Sequence, residues 1–274
     1  MNTFDPVAYW EDRLQKNPGI TGVGYTSLGE RYNKWLYRVR GKVFKRVVRQ
    51  LSIDWPAARV LDIGSGTGFY IQRWKDIGVG SVTGSDLTEV AVSRLQAKFQ
   101  NTDFVRVDIG GSLEDLGTGR FDIVSAFDVF FHIVDDRRYQ RAIENVHSLL
   151  RTGGWFLFSD LFLHGPTQRS IHMVSRSWVE VDQLLQATGF EVVRRLPMFV
   201  LMNHPIDTSS RMHAFLWKVF VRAVRYHEAL GYVSGAALYP VELMLTGILR
   251  ESPTTEILVC RKKSDMAGFP IQSQ

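Results

Sequence analysis

The stretch VLDIGSGTGFY, residues 60–70, decides the fold, because it joins a short apolar run to an amphipathic segment through a G-x-G-x-G pattern. Glycine is needed where a backbone turns sharply from strand to helix and a ligand lies against it, since a Cβ would collide. Asp86 ends the next apolar run, 86 − 64 = 22 residues after Gly64, at a distance typical of acids that bind ribose hydroxyls. We therefore predict a strand, a ligand-binding turn and a helix. The alternative is the tight turn of a dinucleotide-binding dehydrogenase, although D-x-G-x-G-x-G departs from the pattern G-x-G-x-x-G.

Short apolar runs alternate with amphipathic stretches on both sides of this turn. Five runs predict strands: RVLDIG, SVTGSD, TDFVRVD, FDIVSAF and GGWFLFSD. Helices are predicted to start near Tyr70, Val90 and Arg137, and a later helix, SWVEVDQLLQATG, to end at Gly189. The runs FEVVRRLPMFV and ILVCRKK predict two more strands. Strands rich in Val, Ile and Phe without strict polar alternation are typical of a parallel sheet buried on both faces, so we expect a doubly wound α/β sheet.

Residues 60–68 resemble the motif (V/L)-L-D-x-G-x-G-x-G of the class I S-adenosylmethionine-dependent methyltransferases and match it at every constrained position. The resemblance continues through Asp86, VDIGG, FDIVSAFDVFFHI and LLRTGGWFLFSD, and it covers roughly residues 59–200. It implies a Rossmann-like, seven-stranded sheet whose last strand is antiparallel. We expect an N-terminal helical cap or lid over 1–58, a methyltransferase domain over 59–264 with a helical insertion before the last strand at about 202–253, and a tail at 265–274.

The resemblance also implies which residues contact the cofactor. The methionine end would lie against Asp62, Gly64, Ser65, Gly66 and Gly68, the ribose against Asp86, the adenine against Leu87, Asp108 and Ile109, and the methionyl amino group beside Phe127. Plainer interpretations remain open for three of these residues: a helix cap for Asp86, a turn for Asp108 and core packing for Phe127.

Methyl transfer is an in-line displacement, so the enzyme chiefly aligns the reacting atoms, and a base is needed only if the acceptor loses a proton. His132 follows the fourth predicted strand, and His164 and His172 lie in the loop after the fifth, which gives three candidate catalytic residues. A structural role for each is the alternative. The nucleic-acid nitrogen motif (D/N)-P-P-(Y/F) is absent after the fourth strand, where the chain reads AFDV, so an oxygen acceptor is favoured. We see no metal-ligand spacing and expect no metal.

The N-terminal segment GVGYTSLGERYNKWLYR resembles a lid that closes over the cofactor. Its candidate contacts to the cofactor or the acceptor are Tyr25, Tyr32, Asn33, Trp35 and Arg38, with packing of the helix on the sheet as the alternative. Arg176 is predicted to pair with an anionic acceptor or to cap the next helix. The insertion is the expected source of acceptor specificity. Its basic, apolar helix around Met212–Leu230 either covers a core, contacts a membrane surface or holds a lipid-linked acceptor.

Composition narrows the class of protein. The 274 residues include 33 Lys and Arg, 28 Asp and Glu, and one cysteine, Cys260, which excludes an intramolecular disulfide and suits a reducing compartment. The N-terminus has no secretory signal, so we expect a cytoplasmic protein. The formal charge of +5 lies outside the predicted cofactor-binding core, because residues 1–58 carry 10 − 5 = +5 and residues 59–160 carry 11 − 14 = −3. No basic, aromatic appendage indicates a nucleic-acid partner, and the charge favours an anionic acceptor or surface.

These patterns together predict methyl transfer from S-adenosylmethionine to a small-molecule acceptor, most simply an oxygen nucleophile in secondary metabolite or saccharide biosynthesis. A protein or peptide methyltransferase would use the same cofactor site. A binding module that retains the cofactor without methyl transfer is the third possibility.

Overall fold

The computed structural model describes residues 4–113 and 116–263, so the predicted tail lies outside the described residues. Three helices come first: α1 (Pro6–Lys16), α2 (Ile20–Val23) and α3 (Gly29–Val48). The alternating core follows with β1 (Arg59–Ile63), α4 (Phe69–Ile77), β2 (Ser81–Asp86), α5 (Glu89–Lys98), β3 (Asp103–Arg106), β4 (Phe121–Phe127), α6 (Asp136–Leu149) and β5 (Leu150–Asp160). The remaining elements are β6 (Gln168–Arg169), β7 (Val174–Ser175), α7 (Trp178–Ala187), β8 (Phe190–Pro197), α8 (Arg211–Tyr226), α9 (Glu228–Ile248) and β9 (Glu256–Lys262).

Seven strands form one sheet in the order β3-β2-β1-β4-β5-β9-β8. The first five are parallel, and β9 is antiparallel to both of its neighbours, which confirms the predicted topology. The short strands β6 and β7 pair separately as a small antiparallel ribbon. Because parallel strands end at one edge of a sheet, the residues that follow β1, β2, β3 and β4 come together there, and ligands bind at such an edge in open α/β sheets.

Apolar side chains fill both faces of the sheet. One cluster joins the sheet to α3, α4, α5 and α8, and includes Phe44 and Trp74. The other joins it to α6 and α7, and includes Tyr139 and Phe156. The indole N–H of Trp74 donates to Ser125 Oγ at 3.0 Å, so the one polar atom of this buried ring is satisfied. The result is a three-layer arrangement that fixes the strand ends.

The insertion before β9 is helical, as expected, and it packs on α3. The backbone of Gly235 lies so close to Trp35 that an added Cβ would meet its Cδ1 at 2.4 Å. The carboxylate of Glu242 is buried and accepts hydrogen bonds from the backbone N–H groups of Val200 and Leu201 at 2.7 and 2.9 Å. These contacts fix α9 against α3 and against the chain that follows β8.

Two expectations for the insertion are corrected. The single helix predicted around Met212–Leu230 is divided, because His227 adopts an extended conformation with φ −142° and separates α8 from α9. The predicted apolar stripe does not cover a core along its whole length, since Met212, Phe215, Leu216 and Val219 are exposed. Within residues 4–113 and 116–263, none of the helices has the length and apolar character needed to cross a bilayer.

Candidate functional site

The turn between β1 and α4 is built on left-handed glycines. Gly64 and Gly66 have φ angles of 68° and 53°, a region that other residues rarely adopt. Added Cβ atoms would meet Val129 Cγ2 at 2.4 Å and Val23 Cγ1 at 2.8 Å, respectively. The Ser65 N–H donates to the carbonyl of Ser85 at 2.8 Å, which ties the turn to β2. The glycines therefore allow the turn to pack closely against Val129, Val23 and β2, and the backbone of the turn faces the sheet edge.

A cavity of about 460 Å³ lies at this edge, within the usual size range of small-ligand sites. One side, which we call the sheet wall, consists of Gly64, Ser65, Gly66, Asp86, Leu87, Asp108, Ile109 and Phe127. The opposite side, which we call the α1 wall, consists of Phe4, Asp5, Pro6, Val7, Trp10 and Leu14. The sheet wall thus brings together most of the predicted cofactor residues, which come from four separate strand ends.

Asp62 and Gly68 are the predicted cofactor residues that do not line the cavity. The Asp62 carboxylate accepts hydrogen bonds from Ser125 Oγ at 2.6 Å and Ser65 Oγ at 3.0 Å, and burial raises its pKa to about 7. Gly68 begins α4 with φ 79°, and a Cβ there would meet a ring carbon of Phe99 at 2.4 Å. Asp62 therefore stabilises the glycine turn through its hydrogen bond with Ser65, outside the cavity wall. Gly68 permits close packing of α4 on α5.

Asp86 bonds the glycine turn and the start of α5, and it lies on the cavity wall. Its Oδ2 accepts a hydrogen bond from the Gly66 N–H at 2.9 Å, and its Oδ1 accepts from the N–H and the hydroxyl of Thr88 at 3.0 and 2.8 Å. Burial raises the pKa of this carboxyl, and these hydrogen bonds oppose the rise. The carboxylate therefore organises the start of α5 and the glycine turn while it remains on the cavity wall.

Asp108 and Phe127 make the turn and packing contacts of the plainer interpretations, and both line the cavity. Asp108 accepts from the Gly110 N–H at 3.1 Å, as in a turn, and forms an ion pair with Arg138, which also lines the cavity. Phe127 is buried and stacks on Tyr70 with ring centroids 4.0 Å apart. Each residue is part of the sheet wall in addition to its packing role.

The predicted lid residues do not reach the cavity; they pack toward the insertion instead. The Tyr32 hydroxyl donates to the carbonyl of Met202 at 2.9 Å, and Trp35 packs on the rings of Tyr232 and Tyr239. Tyr25 packs edge-on against Trp217, Asn33 bonds the backbone of Tyr25, and Arg38 lies over the Trp35 ring. The plainer alternative, packing, therefore describes these residues.

The α1 wall was missed by sequence reasoning. Asp5 caps α1 by accepting from the Ala8 N–H at 3.1 Å, and Pro6 occupies the first helical position. Trp10 and Leu14 follow at the i, i+4 spacing of one helix face, and both line the cavity. The cap, the proline and this spacing were the available signals, but only the fold shows that this face covers the sheet edge.

His132 is the one predicted catalytic histidine on the cavity wall. Its Nδ1 lies 3.0 Å from the backbone carbonyl of His172, which can only accept, so Nδ1 carries the proton and Nε2 has a free lone pair. The Trp10 ring packs edge-on against the His132 ring at 4.7 Å. Burial lowers the pKa of His132 to about 3, so the imidazole is neutral at physiological pH.

The other two histidines occupy different places. His172 stacks on Tyr9 at 5.5 Å and lies beside His132 without being part of the cavity wall. The ring nitrogens of His164 lie 2.5 Å from Asp207 Oδ2 and 3.1 Å from Glu251 Oε2, away from the cavity, and these carboxylates raise its pKa. His164 is thus the predicted catalytic histidine that lies apart from both His132 and the cavity.

A buried ion pair behind the cavity was not predicted. Arg40 of α3 pairs with Asp128, which follows β4 with φ 60° and lines the cavity. Ser159 Oγ donates to Asp128 Oδ1 at 2.9 Å. Arg40 lies among the buried apolar residues of α3. A charged residue on an apolar helix face indicates a buried partner of opposite charge, and this pattern was the available signal in the sequence.

Arg176 pairs within the protein. Its guanidinium donates to the carbonyl of Ile133 at 2.9 Å and to Asp136 Oδ1 at 2.8 Å, and it lies 3.7 Å from the centre of the Tyr139 ring. The predicted contact to an anionic acceptor is therefore replaced by a bond to the first turn of α6.

No residue of 202–253 belongs to the cavity wall, so the expected role of the insertion in acceptor specificity has no basis at this cavity. In the described part of the chain, no cluster of His, Cys, Asp and Glu has the arrangement of a metal site.

Comparison with known proteins places this site in context. Residues 60–154 match a family model described as a methyltransferase domain. A ribosomal protein L11 methyltransferase of Staphylococcus aureus is 31% identical over 141 residues, which cover 50% of this chain and 39% of that protein. An S-adenosylmethionine-dependent methyltransferase from Leishmania major superposes with a TM-score of 0.57 at 14% identity, over 71% of this chain and 74% of that one. The [4+2]-cyclase SpnF superposes with a TM-score of 0.54 at 20% identity, over 81% and 80%. At these identities the structural likeness concerns the fold.

Proposed function

Because the chain belongs to the class I S-adenosylmethionine-dependent methyltransferase superfamily, we propose that it transfers a methyl group from S-adenosylmethionine to a small-molecule oxygen nucleophile. The observation that carries this proposal is a single cavity that holds the glycine turn, Asp86 and His132 together. The proposed cofactor site and a candidate hydrogen-bond acceptor therefore share one cavity.

The residues present fit the cofactor. Gly64 and Gly66 expose backbone where a side chain would occupy the space, Asp86 presents a carboxylate for ribose hydroxyls, and Leu87 and Ile109 offer apolar surface for a purine ring. When bound, S-adenosylmethionine supplies a methyl group on a positively charged sulfur. Trp10 and Leu14 of the α1 wall add apolar surface to the same cavity.

We propose that His132 orients the acceptor hydroxyl. Its Nε2 accepts a hydrogen bond because the His172 carbonyl fixes the proton on Nδ1. The pKa of about 3 makes the ring a weak base, so His132 holds and orients the hydroxyl, and the proton that leaves as the new oxygen–carbon bond forms passes to solvent. In this role His132 selects for a donor group on the acceptor and against a methyl ether at the same position.

The charges on the wall favour an uncharged acceptor over the anionic one suggested by composition. Asp5, Asp86, Asp108, Asp128 and Asp135 line the cavity, with Arg138 as the cationic side chain among its wall residues. Since Arg138 is paired with Asp108, it has little attraction left for a further anion. A phenol or a sugar hydroxyl of the kind found in secondary metabolites or saccharides suits this wall.

Turnover assays with matched histidine variants test the proposal. Purified protein is incubated with S-adenosylmethionine and a panel of phenols, sugars and carboxylates, and S-adenosylhomocysteine is measured by mass spectrometry. We expect turnover with a hydroxyl acceptor, a fall in kcat of roughly 100-fold for His132→Gln with unchanged cofactor affinity, and little change for His164→Gln. Absence of turnover despite cofactor binding, or equal effects of the two variants, would overturn the proposal.

Two other functions have specific support. The similarity to a ribosomal protein L11 methyltransferase favours a protein acceptor, although the chain spans 39% of the length of that relative. Methylation of a protein fraction in the same assay, without small-molecule turnover, would favour it. A [4+2]-cyclase shares this fold, which supports a module that binds the cofactor without methyl transfer. Cofactor binding with no methylated product from either acceptor class would favour that module.

A further inference from the structure

The helix α8 presents an unusual exposed surface. Four of its large apolar side chains, at i, i+3, i+4 and i+7 positions, are 49–70% exposed: Met212, Phe215, Leu216 and Val219. A different face of the helix, with Trp217 and Val224, is buried against the protein. The exposed apolar side chains are therefore additional to those that fix α8 in the fold.

A row of basic residues borders this apolar face. Arg211, Lys218, Arg222 and Arg225 are all exposed, and α8 contains no acidic residue. At 3.6 residues per turn the four cations fall within a sector of about 60° that adjoins the apolar sector. No ion pair joins any of the four to an acidic side chain of residues 4–113 or 116–263. These charges are therefore available to a partner.

The helix α9 carries an exposed apolar stripe of its own. Six of its exposed residues follow one face at spacings of three and four: Leu230, Val233, Ala237, Val241, Met244 and Ile248. The opposite face, with Gly231, Gly235 and the buried Glu242, packs on α3 and on the segment after β8. The stripe on α9 thus carries no charged side chain and lies away from the face that packs on α3.

We propose that α8 and α9 dock on an anionic lipid membrane. A helix with an exposed apolar face and an adjacent basic row lies in the membrane interface, where the apolar side chains enter the acyl boundary and the cations meet lipid phosphates. A second copy of the chain would cover the apolar residues of α8, but a two-fold contact of this face would bring its unpaired cations toward each other. An anionic membrane satisfies both features of the surface.

Vesicle co-sedimentation tests the electrostatic part. The probes are vesicles of phosphatidylcholine alone and of phosphatidylcholine mixed with phosphatidylglycerol. We expect the wild-type protein to bind the mixed vesicles at least about tenfold more tightly than the neutral ones. The double variant Lys218→Glu/Arg222→Glu loses roughly 20-fold or more, since each cation near an anionic surface contributes about fivefold. The control Arg137→Glu/Arg141→Glu makes the same charge change at the same spacing on exposed positions of α6 and leaves binding within about threefold.

A second pair of variants tests the apolar part. Phe215→Ser/Leu216→Ser is expected to weaken vesicle binding at least about tenfold, whereas Ile171→Ser/Val179→Ser, at exposed positions outside the insertion, leaves it unchanged. Melting temperatures measured by circular dichroism verify that each variant is folded. The proposal is overturned if the wild-type protein does not bind mixed vesicles, or if the test and control variants lose the same affinity. A protein that fails to bind vesicles and instead forms a dimer in ultracentrifugation, which Phe215→Ser/Leu216→Ser dissociates, would show that a second copy covers this face.

Discussion

The sheet wall of the cavity is held mainly by the pairing of its strands, whereas the α1 wall is held by side-chain hydrogen bonds between α1 and its neighbours α2 and α5. In the sheet wall, Ser65 bonds the backbone of β2 at 2.8 Å, and Gly66 bonds Asp86 at 2.9 Å. In the α1 wall, Arg94 of α5 donates to the carbonyl of Leu14 at 2.7 Å, and Arg13 donates to the carbonyls of Gly22 and Gly24, each at 2.8 Å.

The two walls therefore differ in how firmly they are held, and this difference indicates on which side a ligand enters the cavity. The sheet wall belongs to the fold, because β1, β2 and β4 pair with neighbours on both sides, β3 pairs with β2 at the edge, and the core is buried. The α1 wall packs on α5 and α2, so its release breaks a few side-chain contacts and leaves every strand paired. A ligand that enters or leaves the cavity is therefore expected to pass on the α1 side, and the two walls should respond differently to substitution.

The largest effect is expected at the glycine turn. In Gly66→Ala the new Cβ faces Val23 at 2.8 Å, and cofactor affinity should fall about 100-fold or more by calorimetry. Gly119→Ala is the matched control, because Gly119 also has a left-handed φ, 62°, but its Cβ would meet no atom within 4 Å. Both variants carry backbone strain of about 1 kcal/mol, so an equal loss of affinity in the two would contradict the proposed close approach of ligand to backbone.

The next effect concerns His132, which the α1 wall buries through Trp10. Its pKa of about 3 in the folded protein lies below the ordinary value of 6.5, so the unfolded chain binds the extra proton as the pH falls. The stability contributed by neutral His132 is complete above pH 6.5 and is lost toward pH 3. Relative to His132→Gln, the free energy of unfolding of the wild-type protein should decrease by about 2 kcal/mol between pH 6.5 and pH 5, as measured by urea titration.

Trp10→Ala tests whether the α1 wall buries His132. Removal of the indole exposes His132 to water, so its pKa should rise toward 6.5, as followed by NMR titration of the imidazole. Tyr9→Ala, one residue away, removes a ring that packs on His172 and serves as the control. If the wild-type His132 titrates near pH 6.5, α1 does not bury it.

A smaller effect is expected when α1 is loosened at its anchor. Arg13→Ala removes the bonds to Gly22 and Gly24, and cofactor affinity should fall roughly fivefold, while the melting temperature changes by less than about 4 °C. Lys16→Ala on the same helix removes only an exposed pair with Asp12 and should change neither quantity. Cooperative unfolding of the whole protein in Arg13→Ala would show that the α1 wall is part of the folded core.

The two walls also differ in how far the sequence predicted them. The sheet wall follows from local rules, because a glycine turn after a buried strand and an acid 22 residues later, at Asp86, have one common arrangement in a parallel sheet. The α1 wall depends on contacts between distant segments, such as Trp10 with His132, that no local pattern specifies. Trp35 has the same aromatic character as Trp10 and faces the insertion instead, so residue type alone did not identify the lid.

Calorimetric titration with S-adenosylhomocysteine, comparing the wild-type protein with Asp86→Ala, tests most directly whether this cavity is the cofactor site. Asp103→Ala, an exposed acid at the start of β3, serves as the control. We predict binding at one site per chain, an affinity about 100-fold lower for Asp86→Ala because hydrogen bonds to a charged acceptor are lost, and no change for Asp103→Ala. Unchanged affinity in a folded Asp86→Ala protein, or no binding by the wild-type protein, would contradict the account.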